Sequence, residues 1–434
     1  MAPFRSLFLA LVSTSALALA PLRAQTELDL SLPQALDAVD QASLSVLLSR
    51  EALAQAIASA AQSRANLLPN VTLDATQRRA RSASIGSTLA RTGVSNRFDL
   101  ALNGRLDLLD PQTIAAYQAA RAGVDVARLD VEATRQTALA TVATSYFQHL
   151  RNLARLDVVD SNIERARALL ELARRQADAG VATQIDVTRA EALLATAVQD
   201  RLQQETVVQQ SELQLKRLLG LPLPPPLRLV PVLLEREPPV EFSAMLEETA
   251  LELRQDYQRA RRLLDQTELE VKAARFNRLP ALALTGSYGE ASETPFNGDE
   301  STVWSAAAAL SVPVFDGLRT GALTRLALSR RRAQELRLRD LESAISAEVR
   351  LALQDVRSRH AQVEVAETSL RLAEDELRLA QTRFEQGVAD NREIIEAQNR
   401  LAQASDNRLE AVHQYHLSRL ELERARGNVK GLLQ

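Results

Sequence analysis

The chain has 434 residues, and its 52 lysines and arginines against 55 aspartates and glutamates leave a net charge of -3, too balanced for a partner such as nucleic acid. Aromatic residues are only 3%, with 14 glycines and 15 prolines, a composition of long helices and coiled coils that disfavours a compact β-rich enzyme. Cysteine is absent, which excludes disulfides, thiolate metal sites, cysteine nucleophiles and a lipid-bearing N-terminal cysteine.

Residues 1–24 read as a signal peptide. Arg5 supplies the positive segment, Phe8 to Ala20 the short apolar segment, and Leu22-Arg23-Ala24 the cleavage site. No later run of 18 apolar residues exists, so no membrane-spanning helix is expected. A first structural repeat fills 25–220. It opens with a helix over about 32–67, started by a Ser31–Gln34 capping box.

A β-hairpin follows at about 70–109. Phe98, Leu100, Leu102, Leu106 and Leu108 alternate with Arg97, Asp99, Asn103, Arg105 and Asp107, a period of two with one oily and one charged face. That pattern predicts a strand with lipid on the first set and a watery lumen on the second. Val71, Leu73 and Ala75 alternate with Thr72, Asp74 and Thr76 in the same way.

From Gln112 to Ala179 there is no proline, and at 1.5 Å per residue this is roughly 100 Å of helix. Val142, Leu156, Ile163, Leu170 and Ala177 recur by sevens, the stripe being interrupted at His149, which predicts left-handed supercoiling against neighbouring helices. Gly180-Val181-Ala182 forms a tip, and a second helix returns from Thr183 to Leu219. Residues 221–240 are a proline-rich linker, stiff and extended.

The second repeat, 241–427, copies this order. Its helix over about 242–278 precedes a hairpin at about 281–315, then a helix from Arg319 to Gln386, a tip at Gly387-Val388-Ala389 and a return helix from Asp390 to Arg426; residues 428–434 are a tail. The glycines at 180 and 387 and those at 220 and 427 stand at one common offset, and Leu68-Pro69 before the first hairpin has its counterpart in Leu279-Pro280. Val349, Val356, Val363, Leu370, Leu377 and Phe384 carry the heptad stripe. Phe98, Tyr288 and Trp304 cluster at the loop ends of the strands and Phe315 at the opposite end, as an interfacial girdle does. Four strands cannot close a barrel, and an open edge in lipid leaves backbone groups unpaired, so copies of the chain must share one barrel.

In these residues the chain resembles the TolC-type outer-membrane efflux channels, the outer membrane factor family. The marks are the duplicated halves, the two Leu-Pro pairs, Val312-Pro313-Val314-Phe315-Asp316-Gly317 and Arg383-Phe384-Glu385-Gln386-Gly387-Val388-Ala389. The resemblance implies a mainly α fold with a small membrane β part. Long coiled-coil hairpins form a periplasmic α-barrel, and four transmembrane strands per chain enter a 12-stranded β-barrel shared by a homotrimer. It implies an exit duct in the outer membrane of a Gram-negative bacterium, passively conducting drugs or metabolites delivered by an inner-membrane pump and a periplasmic adaptor. By position, Gly180, Val181, Ala182, Gly387, Val388 and Ala389 become adaptor-docking tips, and Glu393, Glu396 and Asp186 an acidic ring at the periplasmic gate. The sequence departs from the family pattern where Arg189 stands opposite Glu396, and where Asp110-Pro111 replaces Phe-Asp-Gly.

The scaffold equally suits a type I protein secretion exit channel. A rival of another class is an exported coiled-coil structural or adaptor protein. No catalytic constellation, cofactor motif or metal signature is present; Glu410, His413 and His416 share a helix face without a second ligand cluster.

Overall fold

The computed structural model describes residues 28–83, 92–230, 244–295, 299–386, 388 and 391–433. The signal peptide, half of the proline-rich linker, and Gly387 and Ala389 of the second tip lie outside the described residues. In chain order the elements are β1 (Leu28–Leu30), α1 (Leu32–Ala42), α2 (Leu44–Ala65), β2 (Asn70–Ala83), β3 (Thr92–Leu109), α3 (Pro111–Asp178), α4 (Gln184–Leu218), β4 (Leu227–Leu229), α5 (Ala244–Leu253), α6 (Gln255–Phe276), β5 (Ala281–Ser292), β6 (Ser301–Ser311), α7 (Arg319–Glu385) and α8 (Asn391–Ala425), closed by a 3-10 turn at Val429–Leu433. The fold is mainly helical with a small sheet.

Capping chemistry sets the helix starts. Ser31 and Gln34 exchange the two bonds of a capping box, with Gln34 N donating to Ser31 Oγ at 3.4 Å and Ser31 N to Gln34 Oε1 at 3.0 Å. The two long helices begin differently. Asp110 accepts from the backbone of Gln112 and Thr113 with Pro111 in the first turn, whereas Asp316 accepts from Thr320 N at 2.8 Å across a left-handed Gly317-Leu318 pair.

α3 is the spine. Along the half nearer the four-stranded sheet it packs on α2 and α6, along the other half on α4 and α8, and α7 lies beyond α6 and α8. Two shorter helices laid end to end thus match one long one on either flank. The heptad positions Val142, Ile163 and Leu170 on α3 and Val349, Val356, Val363, Leu377 and Phe384 on α7 are buried. His149, where the stripe was expected to break, is buried too, its Nδ1 2.8 Å from Ser211 Oγ. One core gathers Leu36, Leu139, Tyr146, Leu215 and Leu420 around mid-α3; a second joins Leu170, Val187, Leu377, Phe384, Ile394 and Leu401 at the hairpin ends.

Three features differ from the sequence expectations. The helices expected over 32–67 and 242–278 are each broken at one extended residue, Ser43 (φ -71°, ψ 116°) and Arg254 (φ -70°, ψ 118°). Neither site has a glycine or proline to mark it. The break lets α1 turn Leu32, Ala35, Leu36 and Val39 into the mid-α3 core while α2 follows α3. Next, β1 and β4 form a parallel pair, Leu28 opposite Leu227, so the described start of the linker is anchored rather than merely extended. Finally, the C-terminal tail is not free, since Val429 and Leu432 are buried in the mid-α3 core.

Candidate functional site

The four-stranded antiparallel sheet runs β2-β3-β5-β6, and its register sorts the strand positions onto two faces. Leu73, Leu102, Tyr288 and Trp304 lie in one cross-strand row, and Leu106, Leu284 and Ala308 in another. Directly opposed residues share a face, so the oily positions of all four strands fall together. On the other face Thr72, Asn103, Ser287 and Ser305 align, followed by Asn70, Arg105, Thr285 and Ala307. Polar contacts knit that face: Asn103 Nδ2 donates to Asp74 at 2.7 Å, Arg97 pairs with Asp99 at 2.8 Å, and Arg105 with Asp107 at 3.1 Å.

One strand residue departs from the alternation. The register slips between Asp107 and Leu109, so Leu108 has no partner on β5 and Leu109 opposes Leu282 instead. Strand β6 stops at Ser311, leaving Val312, Val314 and Phe315 exposed outside the ladder. Gly289 has a steric reason to be glycine. A Cβ there would come within 2.2 Å of Leu100 O, because β3 crosses closely.

At the far end, α3 closes in a left-handed turn at Gly180 (φ +71°), and Val181 N donates back to Gln176 O at 2.8 Å. Val388 N makes the equivalent bond to Arg383 O at 2.9 Å. Both turns hold a valine out of the core, Val181 being 69% and Val388 67% exposed. Each hairpin end therefore presents an apolar knob.

The acids implied for the gate each stand near an arginine. Asp186 caps α4, accepting from Thr183 N at 3.0 Å and Thr183 Oγ1 at 2.6 Å, with Arg189 3.6 Å away. The Thr183 hydroxyl, ahead of the Arg189 charge, holds the Asp186 carboxyl below the usual carboxylate range. Glu393 pairs with Arg383 at 3.1 Å and Glu396 with Arg392 at 2.8 Å, while Arg400 takes Glu376. Ile394, Ala397 and Leu401 turn into the core, which puts Glu393 and Glu396 on a flank of α8. Buried Asn391 donates from Nδ2 to Asp186 O at 3.0 Å and ties the two return helices together at this level.

The row Glu410, His413, His416 serves packing. Glu410 bonds Arg151 at 2.8 Å, and the His416 ring stacks on Phe147 with centroids 5.4 Å apart. Among the described residues no group of acids and histidines has the geometry of a metal site.

Sequence reasoning missed the buried polar anchors. Lys216, 2% exposed, donates to Leu223 O at 2.6 Å and Pro225 O at 2.7 Å, which clamps the start of the proline-rich segment. Tyr146 donates to Val230 O at 2.6 Å, and burial pushes its phenol up to about 12. Burial works against the Arg254 charge, yet bonds to Asp256 and Glu348 overcome it and raise the pKa. A lysine or tyrosine on a helix that already carries many polar residues has no sequence signal of burial.

The outer membrane efflux protein family model matches residues 35–221 and 246–428. The chain is 26% identical over 359 residues to the pyoverdine export outer membrane protein OpmQ of Pseudomonas putida, covering 81% of this chain and 76% of the relative. It is 31% identical over 343 residues to Protein CyaE of Bordetella pertussis, covering 77% and 71%. Among solved structures, the Campylobacter jejuni CmeC outer membrane channel superposes with TM-score 0.82 at 19% identity, over 91% of this chain and 85% of that one. A membrane protein from Pseudomonas aeruginosa gives TM-score 0.82 at 23% identity, over 93% and 92%.

Proposed function

Because the chain belongs to the outer membrane efflux protein family, we propose that three copies join edge to edge into one duct. The protein is an outer-membrane channel with a periplasmic helical extension, the exit component of a tripartite efflux system that passes small molecules out of the cell. An inner-membrane pump and a periplasmic adaptor are its partners. It conducts passively, and its work is gating and passage rather than bond chemistry.

The observation that carries the trimer is the pair of free edges. Neither β2 nor β6 has a described partner on its outer side, while the sheet between them is oily on one face and polar on the other. In lipid such edges must be paired, and alternating strand direction lets β6 of one copy meet β2 of the next. Three copies give 12 strands, with Phe98, Leu100, Leu102, Leu106 and the register-shifted Leu108–Leu109 step toward lipid and Arg97, Asp99, Asn103, Arg105 and Asp107 toward the lumen. The tips at Gly180–Ala182 and Gly387–Ala389 dock the adaptor through Val181 and Val388. Glu393, Glu396 and the cap Asp186 ring the periplasmic mouth.

Deletion of the gene, followed by a susceptibility panel and analysis of secreted proteins, tests the reading. Sensitisation to small toxic compounds with an unchanged set of secreted proteins is the expected result. Loss of a secreted protein without sensitisation would place the duct in protein export. Light scattering in mild detergent is expected to give a trimer, and a monomer alone would overturn the shared barrel.

A further inference from the structure

The β2–β3 hairpin outruns its neighbours. Its ladder continues beyond Phe98–Gln77 through Arg79 opposite Asn96 and Arg81 opposite Val94, whereas the β3–β5 ladder ends at Phe98–Ser292. Arg79 and Arg81 follow Leu73, Ala75 and Gln77 by steps of two, so they stand on the oily face, not on the face of Asp74 and Arg97. Arg78, opposite Arg97, belongs to the polar face. The two outward arginines are exposed. Arg79 lies two residues, about 7 Å, past Gln77, and Arg81 the same distance further.

The direction of the sheet fixes where this is. All four helix connections, at the ends of α2, α3, α6 and α7, meet the sheet at one end, so the opposite strand ends, near Ala83, Thr92, Ser292 and Ser301, point the other way, to the cell exterior. On this face Tyr288 and Trp304 stand in the Leu102 row, and Phe98, two pairs nearer the strand ends and opposite Gln77, marks the upper limit of the apolar band on the β2–β3 hairpin. A guanidinium one or two steps above that limit lies at headgroup height. An arginine there keeps its stem along the apolar surface and its fork in the polar layer. The fork matches phosphate bidentately, and two arginines whose backbones stand about 7 Å apart on one face can both reach a headgroup that carries more than one phosphate.

We propose that Arg79 and Arg81 form an external binding site for the phosphorylated headgroup of outer-leaflet glycolipid. The inference rests on the membrane-duct reading for its orientation but concerns a lipid contact, not transport. In the trimer the site occurs three times around the rim. It anchors the depth of the barrel and orders the hairpin that rises above the other strands.

The test uses the full-length protein in detergent, with bis-phosphorylated lipid A as probe and retention read by native mass spectrometry. Wild type and the lumen-side control Arg78→Gln are expected to retain the lipid equally. The Arg79→Gln, Arg81→Gln pair is expected to bind it about twenty-five-fold more weakly per chain, from roughly a fivefold contribution per arginine. An Arg79→Lys, Arg81→Lys pair, which keeps charge without the planar fork, should fall between. Equal retention by the Gln pair overturns the site, as does equal loss in Arg78→Gln, or equal binding of dephosphorylated lipid A. Displacement by inorganic phosphate at matching concentration would make it a site for free phosphate and overturn the lipid assignment. Planar-bilayer conductance is measured for the same proteins. Conducting variants that do not discriminate lipid refute this site alone, whereas a wild type that never forms conducting pores refutes the duct.

Discussion

His416 illustrates how burial dominates a chemical property. Its ring stacks on Phe147, its Nδ1 has no hydrogen-bond partner, and burial, ahead of the His413 and Arg419 charges, pushes its pKa down to about 4. A folded-state pKa below the unfolded value near 6.5 means that unfolding takes up protons. Its stabilising effect is therefore complete above about pH 6.5 and is lost as pH falls toward 4. His413, also buried, has its pKa lowered mainly by burial and acts in the same sense. The expected outcome is a falling unfolding temperature between pH 6.5 and 4, worth up to about 3 kcal/mol per chain from His416. Thermal unfolding in detergent checks it, and a His416→Leu variant should show a flatter profile across that window. Glu410 contributes elsewhere. Burial opposes its charge, but Gln414 and Arg151 hold its carboxyl below the ordinary value, so its part is lost only at lower pH.

The helical elements share one plan but close it with different side chains. Asp110 and Asp316 both cap a long helix, one through a proline start and one through a left-handed pair, so the missing Phe-Asp-Gly in the first half removes no cap. The breaks at Ser43 and Arg254 are nearly identical in backbone, yet only Arg254 is held by acids, Asp256 and Glu348. Replacing Arg254 by Met is expected to cost about 2 to 3 kcal/mol, because two half-exposed carboxylates lose their partner at the hinge between α5 and α6. Chemical denaturation measures it; a cost below 0.5 kcal/mol would show that backbone packing alone sets the break. The hairpin ends make their own prediction. Val181 and Val388 are exposed apolar knobs at the hairpin ends, the first on a turn that Gly180 closes in the left-handed conformation. A Val181→Asp, Val388→Asp double variant is expected to assemble normally and to lose at least tenfold in adaptor affinity, read by surface-immobilised binding. Unchanged affinity would move the docking site away from the tips.

In the proposed trimer, the charge at the mouth belongs to the assembly rather than to one chain. Glu393 and Glu396 lie beside Arg383 and Arg392, and pairs this exposed are worth ~0 to 1 kcal/mol each. Such weak pairing leaves the carboxylates able to present negative potential at the mouth of the proposed trimer. The isolated trimer is therefore expected to prefer cations, and Glu393→Gln with Glu396→Gln to lose much of that preference. Reversal potentials in a salt gradient decide: identical values for wild type and the double variant would make these acids ordinary surface partners of their arginines.

Much of this protein is written locally. Alternation at Leu100, Leu102, Arg105 and Asp107, the heptads of α3 and α7, the Ser31 capping box and the duplicated Gly-Val-Ala turns depend on neighbours within a few residues, so the helices, strands and repeat could be read without coordinates. The bulge at Leu108, the breaks at Ser43 and Arg254, the β1–β4 pair and the burial of Lys216 and Tyr146 could not. The β1–β4 pair, the break at Arg254 and the burial of Tyr146 depend on partners far along the chain, Leu227 for Leu28, Glu348 for Arg254 and Val230 for Tyr146, and local sequence carries no trace of them. The same division holds for Arg79 and Arg81. Their charge is visible in the sequence, but only the cross-strand register places them on the oily face, because a shift of one residue would turn both onto the polar face.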